Sequence, residues 1–496
     1  MVNQTYILNP DYHFKNDTHR IVMYSTNRVQ PYSQQNWIGY IHPMQAEFLL
    51  PFTNPHPISW HYENFRSKYS FTTEQTETII RQYLENKEAV YTEWGENRII
   101  FPKNVLIPYE KAEGTPIRTR GRDINLHCQH IDLTSRRMYQ GPQSMLFMLT
   151  AQCATKCKYC YADRSTPHTP MPTSEIMRII DEAHEMEMSH IDLIGGEVFC
   201  HRDWDKILQK LVDYDLTPSY ISTKVPIGEA QVKRLKSTGY DNVVQLSLDS
   251  LDDNVLHEII GSGTGYADRM KKAIRLLEQY GFKVQIDTIL TKYNCNQQTL
   301  TELDTFIKTL SNLAYWEIRV PTRSIYYPES FENVKASRKE IEELRIFVQE
   351  CIKPRANYTI HFSDEALEIP FRKGKCGDTH FKGGSCGVLE NRCFLLPDGQ
   401  VTICEQLYWN PQFIIGDLRK QSIAEVWNSP RALHIYHQEE KPRPDSRCSS
   451  CKALDFCTEN RRKCVVKVMQ AYGKDNWDYP DPRCEFAPPA DKDMVY

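Results

Sequence analysis

The chain of 496 residues lacks any apolar run of about 18 residues, so no membrane-spanning helix is expected. It also lacks a strong excess of charge. Sixty basic against 64 acidic residues leave a net charge of −4. Without a basic field to hold a phosphate backbone, nucleic acid is not an expected partner. The start, Met-Val-Asn-Gln-Thr-Tyr, lacks the charged head and apolar core of an export signal, so a cytoplasmic protein is expected. The residue in excess is cysteine, with 16 copies. In a reducing compartment such usage points to metal or catalysis rather than disulfides. With 40% hydrophobic and 25% charged residues the composition is otherwise ordinary, and the length allows about two to four domains.

The first cysteine group is Cys153-Ala-Thr-Lys-Cys157-Lys-Tyr-Cys160, just after the apolar run Met145 to Thr150. That run reads as a strand, which puts the thiols on the loop leaving its C-terminal end. Three thiolates in one loop can hold an iron–sulfur cube by three of its irons and leave the fourth open. The alternative is a structural zinc knot, but zinc closes a set of four ligands and usually takes them as pairs. CxxxCxxC with an aromatic, Tyr159, before the last Cys resembles the radical S-adenosylmethionine (SAM) enzymes. The resemblance implies that the open iron chelates the amino and carboxylate groups of the methionine part of SAM. It also implies that the reduced cluster breaks the sulfonium bond, giving methionine and a 5′-deoxyadenosyl radical.

From 144 to 322 strands alternate with helices. Strands are expected at Met145–Thr150, His190–Ile194, Ser219–Ser222, Val243–Leu248, Val284–Leu290 and Trp316–Val320. Helical stripes run through Ile176, Ile179, Ile180 and Ala183, through Trp204, Ile207, Leu208 and Leu211, and through Met270, Ala273, Ile274 and Leu277. Such a series gives a parallel sheet with helices outside it. About six units fit, too few for a closed eight-fold barrel, so a partial (β/α)6 TIM-like barrel is expected, with functional residues at the C-terminal strand ends.

Gly195-Gly196-Glu197 ends the second strand. Two glycines let backbone approach a ligand, and a carboxylate can accept from an ammonium group. By resemblance this motif holds the methionine amino group; Val198 stands where the family often has Pro. The resemblance also places cofactor contacts at Ser247 and Asp249 in Gln-Leu-Ser-Leu-Asp-Ser250, and at Thr223. At that third strand end the usual Asn-Gly is replaced by Lys224-Val225. Asp249 could instead cap the next helix, and Thr288 could face the cofactor or fill the interior.

Residues 1–101 read as a separate unit. Ile21–Tyr24 and Trp37–Ile41 are β-prone, and His42-Pro43 opens a short helix to Leu50. Thr72-Thr-Glu-Gln75 is a capping box before a helix through Ile79, Ile80 and Tyr83, and Val90–Trp94 with Arg98–Phe101 forms a hairpin. Together these suggest a winged-helix-like domain. It could bind DNA, or add a peptide as a strand to an open sheet edge. The helix after the capping box is not basic, and Tyr6-Ile-Leu-Asn-Pro-Asp-Tyr12 with the following pattern is similar to leader-peptide recognition domains of peptide-modifying enzymes. Residues 102–143 read as a solvated, locally basic linker, in which His127-Cys128-Gln129-His130 is either a partial metal site or incidental.

Residues 323–375 connect to a second cysteine field at 376–496, with one helix near Ile341–Ile352. Pro397-Asp-Gly399 is a turn between two short strands, and Ile423–Trp427 a short helix. The spacing Gly399-x4-Cys404 and Cys448-x2-Cys451-x5-Cys457 resembles the SPASM extension of radical SAM enzymes, although six residues rather than three separate Cys457 from Cys464. The resemblance implies one auxiliary [4Fe–4S] cluster on Cys448, Cys451, Cys457 and Cys484. It implies another on Cys386, Cys404 and Cys464, with Cys393 as fourth ligand. If Cys393 does not ligate, an iron is open to a substrate thiolate. Two zinc ribbons are the alternative reading. By the same resemblance Glu405 is a base acting on a peptide side chain; otherwise it is a surface residue at a strand end. Cys128, Cys200, Cys295, Cys351 and Cys376 fit neither pattern and are expected as plain buried residues.

The resemblance thus implies a radical SAM maturase that oxidatively modifies a ribosomally made peptide, forming a thioether or carbon–carbon cross-link. Its partners would be a precursor peptide with a leader and an electron donor such as flavodoxin or ferredoxin. Two rivals stand beside it. One is a radical SAM oxidase of a protein Ser or Cys, of the sulfatase-maturase type. The other is a zinc-bearing DNA-binding regulator.

Overall fold

A computed structural model describes residues 4–26, 37–95, 97–112, 130–363, 386–439, 442–460 and 462–490. Cys128, Cys376 and most of the basic stretch around Arg118–Arg122 lie outside them. Chain contacts divide the molecule into two units, one built mainly from residues 1–144 and one mainly from 145–179, 192–212 and 220–496.

The first unit opens with β1 (Thr5–Leu8), β2 (Tyr12–Asn16), β3 (Ile21–Ser25) and β4 (Ile38–Ile41). Helices α1 (Pro43–Leu49), α2 (Ile58–Tyr69) and α3 (Thr73–Arg81) follow, with the two-residue β5 (His56–Pro57) ahead of α2. The hairpin β6 (Val90–Trp94) and β7 (Asn97–Phe101) comes next, and then β8 (Leu106–Pro108). One antiparallel sheet runs β5-β1-β8 and another β2-β3-β4. Both expected helix starts are present. Pro43 sits in the first turn of α1, and at the start of α3 the Thr72 hydroxyl accepts from the Gln75 N–H while the Gln75 side-chain oxygen accepts from the Thr72 N–H. Phe14, Met23, Leu49, Phe65, Ile80 and Phe101 meet in one core.

Two sequence expectations are corrected here. Helix α2 was not foreseen, because its buried stripe of Ile58, His61 and Phe65 includes a polar residue and is interleaved with Trp60 and Tyr62. The segment 102–143 is also not a free connector. Its start supplies β8, paired with β1, and its end is pinned to the β2–β3 turn. There Asp17 takes backbone N–H bonds from Tyr139 and Gln140 at 2.7 and 3.0 Å, and Arg20 Nε at 2.9 Å. The Arg20 guanidinium also donates to the carbonyls of Ser135 and Arg137 and lies 3.4 Å over the Tyr40 ring. Both charged side chains are completely buried.

In the second unit the expected alternation is present. It runs β9 (Ser144–Met148), α4 (Thr173–Glu185), β10 (His190–Ile194), α5 (Trp204–Asp213), β11 (Tyr220–Thr223), α6 (Glu229–Ser237) and β12 (Val243–Ser247). It continues through α7 (Asp253–Ile260), α8 (Tyr266–Gln279), β13 (Val284–Ile289), α9 (Gln297–Ile307) and β14 (Leu313–Arg319). After α10 (Pro328–Glu332) and α11 (Arg338–Phe347), a further strand β15 (Ile360–Ser363) pairs in parallel with β14. The parallel series is therefore longer than the six strands expected, and its last member comes from the supposed connecting segment. Beyond it lie β16 (Arg392–Leu395), β17 (Gln400–Thr402) and β18 (Ile414–Asp417), joined antiparallel, with Gly399 in the left-handed region at the β16–β17 turn. The short helices α12 (Ile423–Trp427), α13 (Pro430–His437), α14 (Leu454–Asn460) and α15 (Val465–Tyr472) complete the unit. All these strands form one sheet in the order β15-β14-β13-β12-β11-β10-β9-β16-β17-β18. The cysteine-rich region thus extends the sheet that carries the first cysteine loop. Among the described residues no helix is long and apolar enough to cross a membrane.

A buried ion pair stripped of one partner leaves an uncompensated charge, at a cost of about 3–5 kcal/mol. Arg20→Ala is expected to lower stability by about that amount in chemical unfolding. Lys68→Ala, which opens the exposed pair with Glu47, is expected to cost about 1 kcal/mol or less.

Candidate functional site

The loop carrying Cys153, Cys157 and Cys160 is held from several sides. The N–H groups of Lys156 and Lys158 each donate over 2.9 Å to the carbonyls of Ile260 and Ile259 at the end of α7. The Ser330 hydroxyl caps the Lys158 carbonyl at 2.7 Å. The Thr155 hydroxyl lies 3.4 Å from the Cys153 sulfur and 3.3 Å from that of Cys157. Cys153 is exposed, Cys160 half-buried and Cys157 buried. Burial pushes the Cys157 thiol up to about 11 and raises Cys160 as well. Thiols so placed are protonated when empty, so binding a thiolate-ligated group releases protons. Among the described residues, no three His, Cys, Asp or Glu side chains converge on a single-ion site. Three soft sulfur donors in one short loop fit an iron–sulfur group.

Gly195 and Gly196 pack against backbone at the entrance of the cysteine loop. A Cβ on Gly195 would stand 2.8 Å from the Thr150 carbonyl oxygen, and one on Gly196 would stand 2.3 Å from that of Gln152. The glycines let the exit of β10 press against the backbone leading into the cysteine loop. Gly196 N–H donates to Thr150 O and Glu197 N–H to Gln152 O, each at 2.8 Å.

Glu197 is buried at that junction. It accepts from Thr223 Oγ1 at 3.1 Å, from the Lys224 N–H at 3.0 Å and from the Phe199 N–H at 3.3 Å. Burial raises its pKa against these three donors. A carboxylate buried beside the cysteine loop and already accepting from several donors suits an incoming ammonium group. Ser247 ends β12 and accepts from Gln245 Nε2 at 3.3 Å. Thr288 is fully buried between the Leu248 carbonyl and the Trp316 indole N–H, which decides its two readings in favour of the interior.

Asp249 does not cap the next helix; Asp252 does so through the Asn254 N–H at 2.8 Å. Asp249 instead joins Tyr159 and Lys224. The Tyr159 hydroxyl donates to Asp249 at 2.6 Å, and Lys224 Nζ lies 2.6 Å from the Tyr159 oxygen and 3.3 Å from the carboxylate. Lys224 escaped the sequence reading, which noted only that Asn-Gly was missing. A lysine one residue after Thr223, at a strand's C-terminal end, was the available signal.

A second polar group went unpredicted. Alternate residues of β13 and β14 turn Gln285, Asp287, Glu317 and Arg319 to one face of the sheet. Arg319 contacts Asp287 at 3.2 Å and Glu317 at 2.8 Å, and Gln285 Nε2 donates to Asp287 at 2.6 Å. Burial still pushes the Asp287 carboxyl up to about 6.

Glu405 is half-buried rather than a surface residue. Its charge is the largest influence raising the Tyr161 hydroxyl, and it also raises Tyr220 and Tyr408. Tyr161, Tyr326 and Tyr408 pack with Cys160 and Met148, so Glu405 lies beside aromatic residues that adjoin the first cysteine loop.

In the C-terminal region Cys386, Cys404, Cys448, Cys457, Cys464 and Cys484 line one cavity of about 450 Å3. The Cys386 and Cys464 thiols are hydrogen-bonded, which lowers Cys464 and raises Cys386. Burial pushes Cys404 up to about 12. Cys451 follows the short turn Arg447–Ser450, and Cys393 is buried within β16; neither lines the cavity. Of the leftover cysteines, Cys295 is buried as expected, Cys351 half-buried and Cys200 exposed.

Residues 147–307 match the Radical SAM superfamily, and residues 386–452 match the SPASM iron–sulfur cluster-binding domain. The chain is 22% identical to the PqqA peptide cyclase of Granulibacter bethesdensis over 363 residues, 70% of this chain and 88% of that protein. It is 21% identical to the subtilosin biosynthesis protein AlbA of Bacillus subtilis over 387 residues, 76% of this chain and 79% of that one. The fold matches Streptococcus suis SuiB bound to S-adenosylmethionine with a TM-score of 0.62 at 16% identity, covering 97% of this chain and 100% of that chain. SuiB bound to its precursor peptide SuiA matches with a TM-score of 0.60 at 17% identity and the same coverage. The chain carries a radical SAM domain followed by a SPASM domain; it is an enzyme, with an iron–sulfur cluster and S-adenosylmethionine as cofactors.

Two expectations follow from the site. Overpacking a tight contact costs about 1–3 kcal/mol. Gly196→Ala is therefore expected to lower thermal stability and iron content, while Gly263→Ala, which meets nothing within 4 Å, leaves both unchanged. The second concerns pH. Asp287 holds its proton up to about pH 6 when folded but releases it near 3.8 when unfolded. The folded form binds more protons in that window, so this group's contribution to stability falls as pH rises through it. Asp287→Asn is expected to flatten that part of the stability–pH curve in denaturant titrations.

Proposed function

We propose that this protein is a maturase that oxidatively modifies a ribosomally made precursor peptide, closing a thioether or carbon–carbon cross-link. One observation carries the reading: Cys153, Cys157 and Cys160 share one anchored loop with Glu197, Tyr159 and Asp249 around it, in a chain whose relatives are named as peptide cyclases and a bacteriocin biosynthesis protein. These relatives favour neither the protein-oxidase rival nor the zinc regulator.

The three thiolates of the loop hold a [4Fe–4S] cluster, and Glu197 takes the ammonium of S-adenosylmethionine. Thr223, Ser247, Gly195 and Gly196 shape the rest of the cofactor's seat. When bound, this pair supplies a 5′-deoxyadenosyl radical able to abstract hydrogen from an unactivated C–H bond. The protein's part is to orient the peptide, exclude water and accept the proton released as the bond closes, while the electron left over would pass to a group held by the C-terminal cysteines. Glu405, half-buried among tyrosines, serves as that base. Six cysteines lining one cavity, with Cys451 three residues beyond Cys448, support two auxiliary clusters, one on Cys448, Cys451, Cys457 and Cys484 and one on Cys386, Cys404 and Cys464. Cys393, buried in β16, is the fourth ligand of the second cluster in this reading; without it an iron there is open to a substrate thiolate.

The N-terminal region holds the leader in this reading. Its three helices followed by the β6–β7 hairpin support a winged-helix-like domain, which takes the leader as a strand added to a sheet edge. A low-potential carrier of the flavodoxin or ferredoxin type delivers the electrons, in the cytoplasm.

Anaerobically purified protein with three clusters is expected to carry about 12 iron atoms per chain. Replacing Cys153, Cys157 and Cys160 by Ala abolishes cleavage of S-adenosylmethionine; cleavage that survives overturns the reading. Replacing Cys448 and Cys451 leaves part of that cleavage, while the two-hydrogen mass loss of a cross-linked peptide disappears from its mass spectrum.

A further inference from the structure

Lys224 is held at both ends. Its N–H is bonded to Glu197 at 3.0 Å, and its carbonyl accepts from the Tyr266 hydroxyl at 2.5 Å. Its ammonium is set between the Tyr159 hydroxyl and Asp249, and its side chain is only 14% exposed. Asp249 is fixed in turn, its carboxylate by the Ile289 N–H at 2.9 Å and its carbonyl by Asn294 Nδ2 at 2.8 Å. Tyr159 lies between Cys157 and Cys160 in the chain, so this charge is tied directly to the cysteine loop.

The ammonium is bonded to the side chain of Tyr159, two residues after Cys157 and one before Cys160, so its charge lies against the loop that carries the thiols. A buried cation that cannot swing away acts with little screening.

We propose that Lys224 is a positioning residue of the first cysteine loop: its ammonium, fixed by Tyr159 and Asp249, raises the reduction potential of the cluster bound by Cys153, Cys157 and Cys160. Adding one electron makes the cluster more negative by one charge, so a nearby fixed cation stabilises the reduced form over the oxidised one. Asp249 has the opposite sign and partly offsets it. The proposal rests on the reading that this loop holds a cluster.

The test is a potentiometric titration of the anaerobic holoenzyme followed by electron paramagnetic resonance. The relevant signal is the component absent from the C153A/C157A/C160A variant. Lys224→Met is expected to shift its midpoint to a more negative potential, Asp249→Asn to a more positive one, and Lys224→Arg to move it least. Shifts of the same sign in the Met and Asn variants, or none in either, overturn the proposal while leaving the cluster reading intact. If Lys224→Met does not fold, the sign of the Asp249→Asn shift decides. A spectrum with no component lost in the triple-cysteine variant overturns both.

Discussion

The arrangement depends on a contact between two bare stretches of backbone. Gly195 and Gly196 lie where any side chain would collide with the carbonyls of Thr150 and Gln152. Two hydrogen bonds of 2.8 Å then tie the end of β10 to the chain entering the cysteine loop. This contact settles where Glu197 enters, and Glu197 in turn receives Thr223 and the Lys224 N–H from the end of β11. Asp249, just past β12, and Ile289, at the end of β13, close the series. Neighbouring strand ends of one parallel sheet thus deliver one polar network to the edge of the thiol loop, as a parallel sheet with helical crossovers allows.

The network is costly in itself. Glu197, Asp249 and Asp287 are carboxylates removed from water, and Lys224 is an ammonium nearly so. Each is compensated by directed donors or by a partner of opposite sign, which is the condition for burying charge at all. Burial also raises the thiols of Cys157, Cys160, Cys404, Cys448 and Cys484, so binding a thiolate-ligated group there releases protons and couples loading to folding.

Much of this was legible in order along the chain. The strands from His190–Ile194 through Val284–Ile289 fall within a residue or so of the expected spans, because alternating strands and striped helices leave a strong periodic signal. The two helix starts in the first hundred residues were readable because a cap is a local interaction. Elements with weak or mixed patterns escaped. Strand β8 offers only Leu106 and Ile107 before Pro108, and it gains its place by pairing with β1 a hundred residues earlier. Strand β15 is equally short and lies in what read as a connector. Lys224 read as a departure from a motif, since nothing local reveals that its ammonium meets Tyr159 and Asp249.

The sequence alone determined the chemistry. Cysteine spacing, the adjoining aromatic and an acid after two glycines are properties of residues close together in the chain, where spacing dictates reach. Only the tertiary structure decided how those groups act on one another. It showed that the glycines serve a backbone junction, that Asp249 belongs to Lys224 rather than to a helix cap, and that six cysteines from separate segments face one cavity. The reason is that burial and charge depend on what the folded chain brings near, and residues 25 to 90 positions apart meet here across hydrogen bonds of about 3 Å.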